Sequence, residues 1–105
     1  MSKIDFNQIE KDVATLATNL FEEFAKQGIK DGKAFLTETQ DDLVSLAQDR
    51  AAGAITELEY QNGLREVWVL AKMEAIKQAG LAQVTIDKFT NGIIDIVTKA
   101  ALAAM

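Results

Sequence analysis

Carboxylates are the side chains with the most capacity for chemistry in this sequence of 105 residues, because it has no histidine and no cysteine. The predicted second helix carries a group of four: Glu38, Asp41, Asp42 and Asp49. Glu38 and Asp42 are four residues apart and share a helix face, whereas the adjacent pair Asp41 and Asp42 points about 100° apart. We interpret the group as a solvated acidic face, with weak binding of a hard cation as the alternative use.

The same composition removes most kinds of catalyst and metal site. Without Cys or His there is no thiolate nucleophile, disulfide, structural zinc site or imidazole base. Di-iron helical bundles need inward-facing Glu-x-x-His pairs, which this sequence lacks. It also has no phosphate-binding glycine loop, nucleophile elbow or EF-hand loop. We therefore expect no enzymatic activity, no metal and no cofactor.

Charge bears on partners and location. The sequence has 16 acidic and 11 basic residues, for a net charge of −5. Its lysines and arginines are dispersed, whereas nucleic-acid binding needs them clustered, so no nucleic-acid partner is expected. The first dozen residues include charged side chains almost from the start and lack the apolar stretch of a signal peptide. No run in the sequence approaches the roughly 20 apolar residues of a membrane span. A cytoplasmic location without a transmembrane segment is the expectation.

The sequence has no proline, and glycines mark the expected helix ends, a pattern typical of long helices joined by tight turns. Gly28, Gly53 and Gly80 each follow an amphipathic stretch, as glycines just beyond a helix end do. Short links between helices favour antiparallel neighbours. The sequence thus predicts an all-α fold, an antiparallel up-down-up-down four-helix bundle in a single domain spanning 1–105. Its predicted helices cover about 4–27, 31–52, 57–79 and 86–104.

Two helix starts carry capping signals. Thr56 and Glu59 have the spacing of a capping box, in which each side chain binds the other residue's backbone amide. Thr85 opens the fourth helix in a similar way, with Val84 and Phe89 at the positions of a hydrophobic staple.

The start of the second helix has two readings. Asp31 can cap a helix that begins at Gly32, or Thr37 and Gln40 can form a capping box that delays the start to about residue 38. We favour the earlier start because the apolar stripe stays in phase through Thr37.

One stretch in the middle of the chain resembles a known helical hairpin. Leucines at 43, 46 and 64 surround the turn Gly53-Ala54-Ile55-Thr56 and the following Glu59-Tyr60. This pattern resembles the helix–turn–helix of bacterial short C-terminal domains. It covers about a fifth of the chain and lies in mid-sequence, whereas that module normally stands at a C-terminus. No function is carried over from it.

The second half of the sequence has more apolar surface than one small bundle needs. The third predicted helix has two apolar faces, and the fourth is apolar over about 200° of its circumference, where one stripe of about 100° suffices. A second subunit, a partner protein, a membrane surface or a lipid-like ligand can cover such a surplus, as can generous packing within a monomer. The candidate interface consists of Leu58, Val69, Met73, Ile76, Ile94, Val97 and Ala101.

These features together predict a non-enzymatic interaction or scaffold protein that self-associates through its third and fourth helices. A carrier that holds a small apolar or lipid-like ligand inside the bundle is one alternative. An acidic inhibitor or immunity-type protein that binds a basic partner is another, and its partner face comprises Glu38, Asp41, Asp42 and Asp49.

Overall fold

Helix α1 is amphipathic and contributes one buried stripe of side chains to the core. In the computed structural model, which describes residues 4–105, α1 begins after Asp5, whose carboxylate accepts a hydrogen bond from the Gln8 amide at 3.0 Å. Its buried residues follow a four-residue repeat, so one stripe faces the other helices. That stripe consists of Ile9, Val13, Ala17 and Phe21.

Residues 4–105 contain helices and turns and no strand, which confirms the all-α prediction. Four helices of twelve residues or more pack together, and a helix of five residues joins the third to the last. Their bounds are α1 Phe6–Phe21, α2 Ala25–Ala51, α3 Glu57–Trp68, α4 Glu74–Gln78 and α5 Gln83–Ala103, with a 3-10 turn at Glu22–Phe24 between α1 and α2.

The break between the first two helices lies earlier than predicted. Gly28 does not end a helix; the chain turns at Glu22, which has a positive φ of 49°, and α2 is already helical from Ala25. The predicted bounds 4–27 and 31–52 are therefore wrong at this junction, and so is the alternative start at residue 38. Because a residue other than glycine adopts the positive φ of this turn, no glycine marks its position in the sequence.

Gly28 and Gly32 lie inside α2 because neighbouring helices come too close for a side chain. A Cβ on Gly28 would stand 2.4 Å from Cδ2 of Phe21, and one on Gly32 would stand 2.7 Å from Cγ1 of Val13. The same atom on Gly32 would lie 3.0 Å from Cζ of Phe89 in α5. These glycines serve close packing of α2 on α1 and α5.

The two later glycine signals are confirmed. Gly53 has a φ of 76° just beyond the end of α2, and Gly80 has a φ of 87° just beyond α4. The capping box at α3 is also confirmed: the Glu59 amide donates to Thr56 Oγ1 at 3.1 Å, and the Thr56 amide donates to Glu59 Oε1 at 3.0 Å. Local sequence decided all three features.

This capping box makes the start of α3 sensitive to acid. The Thr56 amide lowers the pKa of the Glu59 carboxyl below its ordinary value of 4.5. A lowered folded-state pKa gives stability that is complete above 4.5 and is lost as pH falls through the folded value. We predict that the hydrogen-exchange protection of the Thr56 amide falls from about pH 6 to about pH 3, and falls less in Glu59→Gln. An equal fall in both proteins would contradict this cause.

The third predicted helix, 57–79, is broken. It ends at Trp68, and the chain resumes as α4 at Glu74, after Met73 adopts a left-handed conformation with φ 50°. The buried carboxylate of Asp31 accepts from the Ala75 amide at 3.1 Å and from the Ile76 amide at 2.8 Å. The prediction that Asp31 starts its own helix is therefore wrong. Asp31 instead caps α4, whose Ala75 amide lies 44 residues further along the chain.

The last helix begins earlier than its predicted range of 86–104. Ala82 occupies the N-cap position without a side-chain hydrogen bond, so Thr85 lies inside α5 and does not cap it. Val84 is exposed while Phe89 is fully buried, so the predicted staple pair is divided between solvent and core. Helix α5 therefore starts without a side-chain cap and faces the core through a buried stripe that includes Ile86, Phe89 and Ile93.

Helices α1, α2 and α5 share the core. Phe21 of α1 and Phe89 of α5 meet edge to face, with ring centroids 4.9 Å apart and planes at 78°. Helix α3 instead lies along α2, and Val67 is its only buried residue. Most residues of α3 are therefore exposed or half-buried.

Candidate functional site

A groove between α2 and α3 combines apolar and acidic residues in one cavity. Its volume is about 380 Å³, and it is open to solvent on one side. We call it the α2–α3 groove; its lining residues are Asp42, Ser45, Leu46, Asp49, Ile55, Gly63, Glu66, Val67 and Leu70.

The floor of the groove is apolar because α3 approaches α2 through a glycine. A Cβ on Gly63 would stand 2.5 Å from Cδ2 of Leu46, so only glycine lets the two helices come this close without a shift. Val67 is buried beside this contact, whereas Leu70 keeps 39% of its surface exposed. Leu46 and Ile55 are half-buried and extend the apolar surface.

The rim of the groove is acidic on both sides. Asp42 and Asp49 of α2 and Glu66 of α3 are its ionisable lining residues; all three are exposed, and no lysine or arginine lines it. Negatively charged groups around a low-dielectric cleft raise the local concentration of cationic groups.

The ion pair formed among residues 4–105 joins two residues that do not line the groove, so it leaves the rim carboxylates without a cationic partner. Arg50 Nε stands 2.9 Å from Glu57 Oε2. Hydrogen bonds from Gln61 and then from Arg50 lower the pKa of the Glu57 carboxyl below its ordinary value. Arg50 is thus engaged by Glu57, and the three rim carboxylates have no such partner in the described part of the chain.

The structure separates the four acidic residues singled out from the sequence. All are exposed on α2, but only Asp42 and Asp49 line the groove. Glu38 lines a second cavity between α2 and α4, and Asp41 lines neither cavity. No group of three potential metal ligands meets within residues 4–105. Glu66 joins the site from α3 and was missed, because its place depends on how α3 docks.

The predicted apolar interface is largely inside the chain. Met73, Ile76, Val97 and Ala101 are buried in the core, and Ile94 is half-buried. The break after Trp68 turns Met73 and Ile76 inward, so much of the apolar surplus covers itself. Two members of the set remain exposed: Leu58 at 70% and Val69 at 75%.

Other cavities lie at helix boundaries. The α2–α4 cavity has a volume of about 380 Å³ and mixed charge, with Lys30 and Lys72 beside Glu38 and Glu74. Smaller clefts of about 290 and 270 Å³ lie beside Trp68 and beside Ile4. All of these clefts are partly open to solvent, and a ligand held inside the bundle stays a prediction.

Comparison with family models, with curated proteins and with solved structures finds no match to this chain. The resemblance of 43–64 to short C-terminal domains therefore rests on its sequence pattern alone. Among the described residues, no helix is both long enough and apolar enough to cross a membrane.

Proposed function

We propose that this chain is a non-enzymatic interaction protein that binds a basic segment of a partner protein in the α2–α3 groove. The observation that supports the proposal is an apolar floor whose charged lining residues are all carboxylates, Asp42 and Asp49 of α2 and Glu66 of α3. It is a form of the acidic inhibitor or immunity-type function predicted from the sequence.

Floor and rim would contribute differently to binding. Burial of the floor leucines against a partner gives affinity at roughly 25 cal/mol per Å² of apolar surface, before the costs of association. Carboxylates at a solvent-exposed rim add less than about 1 kcal/mol each, but they raise the association rate and select cationic partners. Binding by this site should therefore be sensitive to salt.

We predict that the triple variant Asp42→Lys, Asp49→Lys and Glu66→Lys binds a helical peptide of leucine and lysine at least about tenfold more weakly than the wild type. Each substitution replaces the attraction between a carboxylate and the basic peptide with a repulsion of similar size. The three changes together reduce the binding free energy by about 1.4 kcal/mol or more. Calorimetric titration at about 0.05 M and about 0.3 M salt measures the loss and its screening.

A matched variant controls for net charge. Glu10, Glu23 and Asp95 are also exposed carboxylates, but they do not line the groove. Their reversal to lysine changes the total charge equally, and we expect affinity within about twofold of the wild type, apart from long-range terms screened at 0.3 M salt. Equal losses in both triple variants would mean that the peptide senses overall charge, and the groove proposal would fail.

Self-association is a second candidate function, favoured by the exposure of Leu58 and Val69. These residues are eleven apart, which on a helix returns to nearly the same face. We predict that sedimentation detects a dimer that Val69→Asp weakens by at least about tenfold, because a buried charge without a partner is costly. Val84→Asp, at another exposed valine, serves as the control. A monomer at all micromolar concentrations would remove this candidate.

We also propose the up-down-up-down order of the bundle, with α3 and α4 together as its third member. The contacts of Gly28 with Phe21 and of Gly32 with Val13 support opposite directions for α1 and α2. The cytoplasmic location stays a prediction.

A further inference from the structure

The two α2 carboxylates of the groove are spaced by a helical repeat. Asp42 and Asp49 are seven residues apart in an unbroken helix, which places them two turns and about 10 Å apart on one side of α2. Ser45 and Leu46 lie between them and also line the groove. Helix α2 thus presents an acidic residue, then a small and an apolar residue, and then a second acidic residue. The two acidic residues have the seven-residue spacing with which helices pair in coiled coils.

This spacing favours one backbone conformation in the occupant. A helix that lies along α2 brings side chains seven residues apart to the same face at about the same 10 Å separation. An extended strand covers 10 Å in about three residues, and side chains three apart in a strand point to opposite faces. A helix therefore matches the separation of the two aspartates on one face, whereas positions on one face of a strand are about 7 or 13 Å apart and match it less closely.

We infer, on the basis of the proposed function, that the occupant is an α-helical segment of a partner protein with Arg or Lys at two positions seven residues apart. An aliphatic residue three or four positions after the first cation lies over Leu46 and the exposed part of Leu70. Glu66, on the opposite wall, receives a further cation or a polar donor from the other flank of the segment.

A second copy of this chain fits the groove less well. Lys26 and Lys33 of α2 have the required spacing and are exposed. The residues three and four positions after Lys26 are Ile29, which already packs against the chain's own core, and the charged Lys30. That face offers no free aliphatic side chain for the apolar floor. The other basic pair with this spacing, Arg65 and Lys72, is divided by the end of α3 at Trp68 and does not lie on one helix, so the groove favours a different protein.

Two alanine-based helical peptides of about 18 residues, long enough for about 27 Å of helix, test this inference. The matched peptide has two arginines seven residues apart, with leucines three and four positions after the first. The shifted peptide has the same composition, but its arginines are five apart and point about 140° away from each other. We expect the matched peptide to bind the wild-type chain about fivefold more tightly, and Asp42→Asn with Asp49→Asn to remove that advantage.

The outcomes separate the two proposals. Equal affinity of both peptides, with sensitivity to the triple lysine variant retained, overturns the seven-residue register but leaves the groove as a basic-partner site. Unchanged affinity of a matched peptide with a central proline, which breaks a helix, overturns the helical occupant. Failure of both peptides to bind overturns the register and the proposed function together.

Discussion

Phe89→Ala is expected to reduce the free energy of unfolding by about 3–5 kcal/mol, the largest effect of any single truncation in this chain. Phe89 is fully buried where α1, α2 and α5 meet. Its ring meets Phe21 edge to face and lies against the backbone of Gly32, which has no side chain to fill a vacated space. The cavity left by alanine would therefore remain largely open.

Urea unfolding followed by circular dichroism measures this loss. For a domain whose total stability is about 5–15 kcal/mol, the variant should unfold at a much lower urea concentration. Leu102→Ala removes an apolar side chain from the same helix at a half-exposed position and should cost less than about 1 kcal/mol. Similar midpoints for the two variants would contradict the core described for α1, α2 and α5.

Asp31→Ala is expected to cost about 2–4 kcal/mol. The Asp31 carboxylate is only 9% exposed and accepts hydrogen bonds from the amides of Ala75 and Ile76. A hydrogen bond to a charged group contributes about 1.5–3 kcal/mol, and its loss leaves the buried Ile76 amide without an acceptor, whereas the part-buried Ala75 amide can bind water instead and costs less. The left-handed turn at Met73 would then keep the burial of its side chain but lose the hydrogen bonds that hold the start of α4.

The same urea measurement, together with hydrogen exchange at the Ile76 amide, tests the role of Asp31. We expect exchange at Ile76 to accelerate more than exchange at Ile93, which lies in the α1–α2–α5 core. Asp41→Ala on the same helix removes an exposed carboxylate and should change stability by no more than about 0.5 kcal/mol. A loss no larger for Asp31→Ala than for Asp41→Ala would contradict the capping of α4.

The features predicted correctly from the sequence are those that neighbouring residues determine. Gly53 and Gly80 adopt positive φ beyond helix ends, and Thr56 and Glu59 form their capping box within one turn. These signals depend on backbone conformation and on hydrogen bonds over three residues, so they can be recognised without knowledge of the fold.

The features missed depend on contacts between distant segments. The sequence predicts a helix end at Gly28 because a glycine that frees the backbone and one that admits a neighbouring ring look the same in sequence. It predicts a local cap at Asp31, whereas the hydrogen-bond partners of Asp31 lie in α4. The break after Trp68 lies beside the same long-range contact, and it places two residues of the predicted interface, Met73 and Ile76, in the core.

Only the α2 part of the candidate site could be predicted from the sequence. The helical pattern of α2 correctly gave an exposed acidic face that includes Asp42 and Asp49. Glu66 and the apolar floor depend on the close approach of Gly63 to Leu46, a contact between two helices that no spacing within either helix reveals.

The most direct test of the groove proposal is a map of amide chemical shifts during titration of the isotopically labelled chain with the matched arginine–leucine peptide. We expect saturable changes concentrated in two segments, 42–49 of α2 and 63–70 of α3, and their loss in the triple lysine variant. Changes concentrated in α1 or around Leu58 and Val84, or no saturable change, would contradict a binding site between α2 and α3.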